Sequence, residues 1–244
     1  MSGETALRAD DIHKNFNGNS VLEDLSISVS CGELLAIIGP SGVGKTTLLK
    51  ILNGLLEPEK GAVYFMDEPL RFENDDDLSK RRRMALLSQK PYPLMKSVRG
   101  NVAYPLRLRD EEGIDDKVEE ALEHVNLLGK ADRKASTLSS GELQRMAFAR
   151  ATVFEPDILL LDEFTAHLDP YNINVLEEAV EWYLEERNAA VVMVTHNLFQ
   201  AERISSTTAF LFDGKIVEKD STEKIFEDPK DDRTEAFVNG EMVF

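Results

Sequence analysis

A glycine-rich stretch near the N-terminus has the residue types needed to bind a polyphosphate. It directly follows the apolar run Leu34–Ile38 and fits the pattern G-x-x-x-x-G-K-[ST]. A buried strand that runs into a glycine turn and then a helix aims several backbone N–H groups at one point. The glycines permit the tight turn and the close approach of phosphates, which a Cβ would block. The nine residues are Gly39, Pro40, Ser41, Gly42, Val43, Gly44, Lys45, Thr46 and Thr47.

Two side chains of this stretch could act on a bound nucleotide. Lys45 is placed to reach the β- and γ-phosphates, and the Thr46 hydroxyl is placed to bind Mg²⁺. The alternative is an ordinary glycine turn, which the flanking strand disfavours. The sequence therefore predicts a nucleotide-binding protein.

An apolar strand that ends in two carboxylates supplies a second element. Ile158–Leu161 is followed directly by Asp162 and Glu163. At the carboxyl end of a strand beside the phosphate loop, Asp162 can hold Mg²⁺ directly or through water. Glu163 can polarise a water aligned with the γ-phosphate, as a general base or an orienting group. The alternative is a strand that merely ends in solvent-exposed acidic residues.

A third element, Leu138–Arg145, has the features of a helix start. Ser139 and Ser140 are plausible caps and Glu142 falls in the first turn, so the N–H groups there form a second anion site. With this element the sequence resembles the ATP-binding cassette (ABC) ATPases of importer type, in which an LSGGQ-type signature precedes a strand ending in Asp-Glu. The resemblance extends from about Leu7 to Ile225.

The resemblance implies roles for four further residues. Phe16 stands where an aromatic ring stacks on adenine, although a core aromatic is the alternative. Gln89 stands where a glutamine contacts Mg²⁺ and the attacking water. His196 stands where a histidine contacts the γ-phosphate, and Asp169 lies in the loop that crosses the dimer interface. In the family, the signature of one subunit closes over ATP held by the other, and the signature residues here are Ser139, Ser140, Gly141 and Glu142.

The signature departs from the usual family pattern at two positions. Ser140 adds a Cβ where glycine is common, and Glu142 adds a charge where glutamine is common. Backbone donation to phosphate survives both changes. Because Glu163 and His196 are both present, we expect a catalytically competent ATPase with altered dimer affinity.

The alternation of strands and helices predicts an α/β fold. The resemblance specifies a P-loop NTPase (RecA-like) core with a mostly parallel sheet, an N-terminal antiparallel β-subdomain and an inserted α-helical subdomain. We expect a single ABC ATPase domain over residues 1–244, with the core in 1–89 and 155–244 and the helical signature subdomain in 90–154. The predicted strands are Val21–Val29, Leu34–Ile38, Ala62–Met66, Met84–Ser88, Ile158–Leu161 and Val191–Val194, and the predicted helical regions are Lys45–Leu52, Ser97–Thr152 and Val175–Leu184.

Composition limits the partners and the compartment. The 244 residues carry 45 acidic and 28 basic side chains, a formal net charge of −17, which disfavours nucleic acid and anionic lipid surfaces. The single cysteine, Cys31, excludes an intrachain disulfide and favours reducing cytosol. We expect no signal peptide and no membrane span. The charge run Glu73–Arg83 is expected to be a solvated loop or helix surface.

The resemblance also implies the partners of a transport ATPase. Pro91–Val102 follows Gln89 where importer cassettes form the groove for a membrane subunit, with Leu94 and Met95 as apolar contacts; a local loop core is the alternative. The expected partners are a second, identical cassette arranged head to tail, integral membrane permease subunits and, indirectly, a solute-binding protein. We expect a cytoplasmic protein, peripheral on the inner face of the cell membrane.

The cargo prediction rests on two segments. Asn101–Arg107 and Phe237–Phe244 resemble the ATPases of oxyanion importers, with tungstate, molybdate and phosphate as candidate cargoes. A polar amino-acid importer is the main alternative. A soluble, non-transport ABC protein is a second, disfavoured by the negative charge and the short helical insert. A small-molecule phosphotransferase is a third, but it would not explain the signature helix.

Overall fold

The computed structural model describes residues 4–72 and 77–242. Two parts of the sequence predictions, Glu73–Asp76 of the charge run and Val243–Phe244 of the C-terminal segment, lie outside the described residues. We label strands and helices in chain order.

The larger sheet carries the ends of the strands that the sequence analysis singled out. It has six strands within the described residues, and β9 pairs in parallel with β3, β3 with β8, β8 with β7, and β7 with β6. Among the strand pairs that the structure describes in this sheet, only β9–β10 is antiparallel. The carboxyl ends of β3, β7 and β8 therefore meet at one edge. In spatial order the strands are β10 (Lys215–Ser221), β9 (Thr207–Phe212), β3 (Leu34–Ile38), β8 (Ala190–Val194), β7 (Ile158–Asp162) and β6 (Met84–Leu87).

A second, antiparallel sheet of four described strands packs beside the first. Its longest strands pair with register shifts, one of them between Ala9 and Ile12, where Asp11 has a φ of 50°. These bulges interrupt the alternation of apolar and polar residues, so the first strand gave no clear strand signal. In spatial order the strands are β2 (Asn19–Ser30), β1 (Thr5–Phe16), β4 (Lys60–Phe65) and β5 (Glu68–Pro69).

The helices fall largely where the sequence predicted them. The first helix spans Lys45–Leu52 as expected, and the segment from Ser97 to Thr152 is mostly helical. None of the described helices has the length and apolar composition that crossing a bilayer demands. The helices are α1 (Lys45–Leu52), α2 (Leu78–Arg81), α3 (Val98–Val102), α4 (Tyr104–Arg107), α5 (Ile114–His124), α6 (Ser140–Thr152), α7 (Pro170–Arg187), α8 (Leu198–Ile204), α9 (Thr222–Glu227) and α10 (Asp232–Val238).

The core has two layers, one on each face of the parallel sheet. Leu34 and Ile38 of β3 belong to the cluster formed with the helical segment and α7. Leu35 and Ile37 belong to the cluster formed with α1 and the antiparallel sheet. Successive residues of a strand point to opposite faces, and this explains why β3 is apolar throughout. Together the α/β architecture with its parallel core sheet confirms the predicted P-loop NTPase fold.

The prediction for the charge run is wrong at Asp77. This side chain is buried, and its carboxylate accepts a hydrogen bond from the backbone N–H of Arg71 and pairs with Lys80 at 3.3 Å. The two contacts with positive and N–H groups compensate the burial of its charge. The proposed division into residues 1–89, 90–154 and 155–244 stays a prediction, since one apolar cluster joins α5 and α6 to the sheet.

Candidate active site

The phosphate loop connects the end of β3 to the start of α1. Its first glycine, Gly39, has a φ of 153°, and a Cβ built there would lie 2.1 Å from the carbonyl oxygen of Leu211 in β9. Gly44 has a φ of 106° and stands immediately before α1. The loop therefore takes a path that L side chains rarely adopt, pressed against the neighbouring strand.

Lys45 lies inside this loop. Its side chain is buried, and the ammonium Nζ donates to the carbonyl oxygens of Gly39 and Pro40, both at 2.7 Å. Burial lowers the pKa of Lys45, while the nearby carboxylates of Glu163 and Asp162 act in the opposite direction. The loop thus holds a partly desolvated positive charge at the centre of its concave face.

Thr46 and Asp162 meet between the start of α1 and the end of β7. Thr46 Oγ1 donates to the Asp162 carboxylate, 2.9 Å from Oδ2 and 3.1 Å from Oδ1. Burial raises the pKa of Asp162, and the hydrogen bond from Thr46 opposes that rise. A hydroxyl and a carboxylate are the oxygen donors that Mg²⁺ uses in phosphate sites, and these two groups fit that donor set.

Glu163 lies at the centre of a second cluster. Its Oε2 accepts a hydrogen bond from Gln89 Nε2 at 2.8 Å, and its Oε1 lies 3.3 Å from His196 Nδ1. Gln89 follows β6 and His196 follows β8, so three neighbouring strand ends supply the three side chains. Glu163 has a φ of 46°, and its N–H donates to the carbonyl oxygen of Val194 at 2.9 Å. With this unusual backbone, Glu163 lines the cleft that also contains Lys45 and Thr46.

Phe16 belongs to the cleft that surrounds the phosphate loop. It is the last residue of β1, it is 45% exposed, and Lys14 Nζ lies 5.6 Å from its ring centroid. That exposure excludes the alternative of a core aromatic. The cleft has a volume of about 370 Å³ and is lined by Phe16, Val21, Ser41, Gly42, Gly44, Lys45, Thr46, Thr47 and Glu163.

The signature segment begins α6 with a capping box. Ser139 Oγ accepts from the N–H of Glu142 at 3.3 Å, and the Glu142 carboxylate accepts from the N–H of Ser139 at 3.0 Å. Lys130 forms an ion pair with Glu142, which is the largest cause of the lowered pKa of that carboxyl. No signature residue lines the cleft beside Lys45. The structure therefore separates the signature segment from the cleft at the phosphate loop, the two elements for which the sequence predicts anion binding.

Asp169 caps α7 and is tied to the signature helix. Its carboxylate accepts from the N–H of Asn172 at 3.0 Å and from Asn172 Nδ2 at 2.6 Å. The Asn172 side chain occupies the space beside Gly141, where a Cβ would lie 2.3 Å from Asn172 Cγ, and it accepts from Arg145 Nε at 2.9 Å. Sequence reasoning missed Asn172, because an asparagine within a helix carries no local signal for such a contact.

A family model described as ABC transporter matches residues 22–166. The chain belongs to the ABC transporter family. A phosphate import ATP-binding protein (PstB 2) of Natronomonas pharaonis is 42% identical to this ABC protein and aligns over 99% of the chain and 89% of its own length. A probable anion import ATP-binding protein of Haloferax volcanii is 38% identical, with the same two coverages.

Solved ABC structures share the fold of this ABC protein. CbiO1 from Clostridium perfringens, part of the transporter complex cbiONQ, superposes with a TM-score of 0.85 at 24% identity and 92% coverage of both chains. A dimeric ATP-binding cassette in a post-hydrolysis state bound to ADP and Pi has a TM-score of 0.80 at 27% identity, covering 88% of this chain and 98% of that one. The chain is thus an ABC ATPase that binds ATP.

Proposed function

We propose that this ABC ATPase hydrolyses ATP to power the import of an oxyanion through a separate membrane permease. The observation that carries the hydrolytic part is the position of Glu163, held between Gln89 at 2.8 Å and His196 at 3.3 Å beside the phosphate loop. A carboxylate aimed by two polar side chains at the open edge of a nucleotide cleft is suited to activating water.

In the proposed reaction, water attacks the γ-phosphorus of ATP in line with the leaving group. Glu163 orients that water and accepts its proton, while Lys45 and His196 stabilise negative charge on the transferring group. Thr46 and Asp162 would hold Mg²⁺, with Gln89 contacting it, and the ion would neutralise charge on the phosphates. Phe16 would stack on adenine, and the remaining loop residues Gly39, Pro40, Ser41, Gly42, Val43, Gly44 and Thr47 would enclose the phosphates.

A second copy of the chain would complete the site. The signature residues Ser139, Ser140, Gly141 and Glu142 do not line the cleft of their own chain. In a head-to-tail homodimer each signature would close over ATP held by the other subunit, with Asp169 at the interface. Hydrolysis would then let the subunits separate.

The membrane partner would dock on a groove beside α3. This groove has a volume of about 570 Å³ and is lined by Pro93, Leu94, Met95, Lys96, Ser97, Lys134 and Ser136. The Met95 side chain is fully exposed and lines the groove together with Pro93 and Leu94, so a partner docked there would cover apolar surface. Docking there would place the protein on the cytoplasmic face of the cell membrane, with a solute-binding protein as an indirect partner.

The proposed cargo is tungstate, molybdate or phosphate. The support is the naming of the relatives for phosphate or anion import, at 42% and 38% identity over nearly the whole chain. Uptake of radiolabelled phosphate, molybdate and tungstate by cells lacking this gene tests the proposal. Loss of uptake of one oxyanion is expected, and normal uptake of all three with loss of an amino acid would reject an oxyanion cargo.

Glu163→Gln tests the hydrolytic part. The variant should bind ATP, form a stable dimer and lose nearly all turnover, because the amide cannot accept the proton of water. Glu181→Gln on the exposed face of α7 is the matched control and should hydrolyse ATP normally. Steady-state hydrolysis at the wild-type rate by Glu163→Gln would reject the role of this residue.

A further inference from the structure

Gln200 of α8 lies fully buried beneath the loops that carry Glu163 and His196. Its Nε2 donates to Thr165 Oγ1 and to Glu177 Oε1, both at 2.8 Å, and its Oε1 accepts from Thr195 Oγ1 at 3.1 Å. All three partners are themselves buried. The orientation of the amide is fixed, because Nε2 must face the carboxylate of Glu177, which only accepts hydrogen bonds.

Each threonine that Gln200 contacts belongs to one of the two loops. Thr165 lies two residues after Glu163, and Thr195 lies immediately before His196. Thr195 Oγ1 also accepts from the N–H of Asn197 at 3.0 Å, so its hydroxyl proton is directed to Gln200. One buried amide group, which does not line the cleft, therefore joins the two loops.

The Gln200 amide contacts a carboxylate that is itself part of an ion pair, between Glu177 and Arg203. Glu177 of α7 is buried, and both of its carboxylate oxygens accept from Arg203 Nη2 of α8 at 2.7 Å. Arg203 Nε adds a bond of 3.0 Å to Glu177 Oε2. A buried carboxylate with three charge-assisted contacts has little freedom to move, so it fixes the Nε2 group of Gln200 in turn.

We propose that Gln200 is a positioning residue for ATP hydrolysis, which sets the separation of Glu163 and His196 through Thr165 and Thr195. This inference rests on the proposed catalytic role of Glu163. Glutamine is suited to the position because its amide supplies two donors and an acceptor in one plane, matched to one carboxylate and two hydroxyls. The rival explanation is that Gln200 only stabilises the packing of α8.

Gln200→Met separates these explanations, because it keeps the length of the side chain and removes its hydrogen bonds. We expect kcat to fall roughly 10- to 100-fold, as for other displacements of a reacting group by about 1 Å. The KM for ATP should stay within about threefold, since the phosphate loop is untouched. A folded Gln200→Met protein that turns over within twofold of wild type overturns the proposal, as does an equal fall in ATP affinity and kcat.

A charge-swap pair keeps the test valid if Gln200→Met does not fold. Gln200→Glu places a carboxylate against Glu177, so kcat should fall. Adding Glu177→Gln places an amide donor at position 177 opposite the new carboxylate acceptor at position 200. The kcat per nucleotide-binding site should then return to within about threefold of wild type. A double variant no more active than Gln200→Glu alone overturns the proposal.

The two contacts with threonine can be tested one at a time. Thr165→Val and Thr195→Val keep the shape of the side chain and should each lower kcat about 3- to 10-fold. Thr165→Val should not lower kcat further in the Gln200→Met background, because both hydrogen bonds that the structure describes for the Thr165 hydroxyl go to Gln200. Thr195→Val should lower kcat less there than in the wild-type background, since only its contact with Asn197 remains to be lost. If the reductions in kcat multiply in the double variants instead, the two threonines do not act through Gln200.

Thr208→Val serves as the matched control for loss of a buried hydrogen bond. Thr208 is fully buried and bonds Thr222 at 2.9 Å, but it lies on β9 away from the carboxyl ends that form the cleft. The Thr208→Val substitution should lower the melting temperature and leave kcat unchanged. Glu163→Gln in the same assay distinguishes failure of the proposed function from failure of the role of Gln200. If Glu163→Gln retains turnover, the proposed function fails. If Glu163→Gln is inactive while Gln200→Met is normal, only the role of Gln200 fails.

Discussion

Thr46 Oγ1 lies 2.9 Å from Asp162 Oδ2, although 116 positions separate the two residues in the chain. The contact exists because β3 and β7 flank β8 in the parallel sheet, so the helix after β3 begins beside the end of β7. Burial raises the pKa of Asp162 in this arrangement. The fold therefore keeps a carboxylate in a place where burial disfavours its negative charge, and a bound cation would offset that cost.

Asp162→Asn should raise the Mg²⁺ concentration that gives half-maximal ATP hydrolysis by about tenfold or more, because an amide is a weaker ligand than a carboxylate. The measurement is steady-state hydrolysis at fixed ATP across a Mg²⁺ titration. Asp157→Asn, before β7 at its opposite end, removes a charge paired with Arg83 and should leave the titration unchanged. Identical titrations for Asp162→Asn and wild type would remove Asp162 from the metal site.

The same substitution should stabilise the nucleotide-free protein. A carboxyl whose pKa is raised by folding contributes stability below its unfolded pKa, and this is lost as pH rises through the folded pKa. At pH 7 the ionised Asp162 is thus a net cost, and Asp162→Asn should raise the melting temperature by about 2 °C or more. Differential scanning calorimetry from pH 4 to 8 should show the gap widen as pH rises. A lower melting temperature at pH 7 would contradict the burial argument.

The strands and turns that position the site could be predicted from sequence because their signals are local. β3 is a continuous apolar run and α1 follows a glycine loop, so both appear at the predicted residues. The approach of Thr46 to Asp162 followed from strand alternation together with the known motif order. The bulged strand β1 was not predicted on its own, because Asp10 and Asp11 break its alternation.

The residues that support the site could not be predicted. Gln200 contacts Thr165 and Glu177 at sequence separations of 35 and 23, and a glutamine in a helix is ordinarily a surface residue. Asn172 fills the space beside Gly141, a relationship between two helices that no local pattern records. Such contacts depend on how α6, α7 and α8 pack, which periodicity alone does not determine.

Phe16→Ala should raise the KM for ATP about 5- to 160-fold with little change in kcat, because stacking of a base on an aromatic ring contributes about 1–3 kcal/mol. Since the ring is 45% exposed, its removal should leave the melting temperature of the free protein within about 2 °C. Phe16→Tyr keeps the ring and is the matched control. A Phe16→Ala enzyme with the wild-type KM would show that adenine lies elsewhere.

Two substitutions at the ion pair of Glu142 with Lys130 should change dimerisation in opposite directions. Glu142→Gln removes a negative charge from the surface proposed to face the partner's ATP, so the ATP-bound dimer should tighten threefold or more. Lys130→Met leaves Glu142 without its ion-pair partner, so the dimer should weaken. Both are measured by analytical ultracentrifugation in the Glu163→Gln background, at low and high salt, since screening should shrink both effects. Changes in the same direction would exclude an electrostatic role for Glu142.

Gly39→Ala should destabilise the free protein and abolish ATP binding. The new Cβ would fall 2.1 Å from the carbonyl oxygen of Leu211, so the loop or β9 must shift as well as adopt a strained φ. Gly113→Ala is the matched control for strain alone, because Gly113 has a φ of 64° and its Cβ would meet nothing within 4 Å. Strain of this kind costs about 1–2 kcal/mol, and urea unfolding should show a larger loss for Gly39→Ala than for Gly113→Ala. Equal losses would mean that β9 yields freely and that the conformation of the phosphate loop does not depend on contact with it.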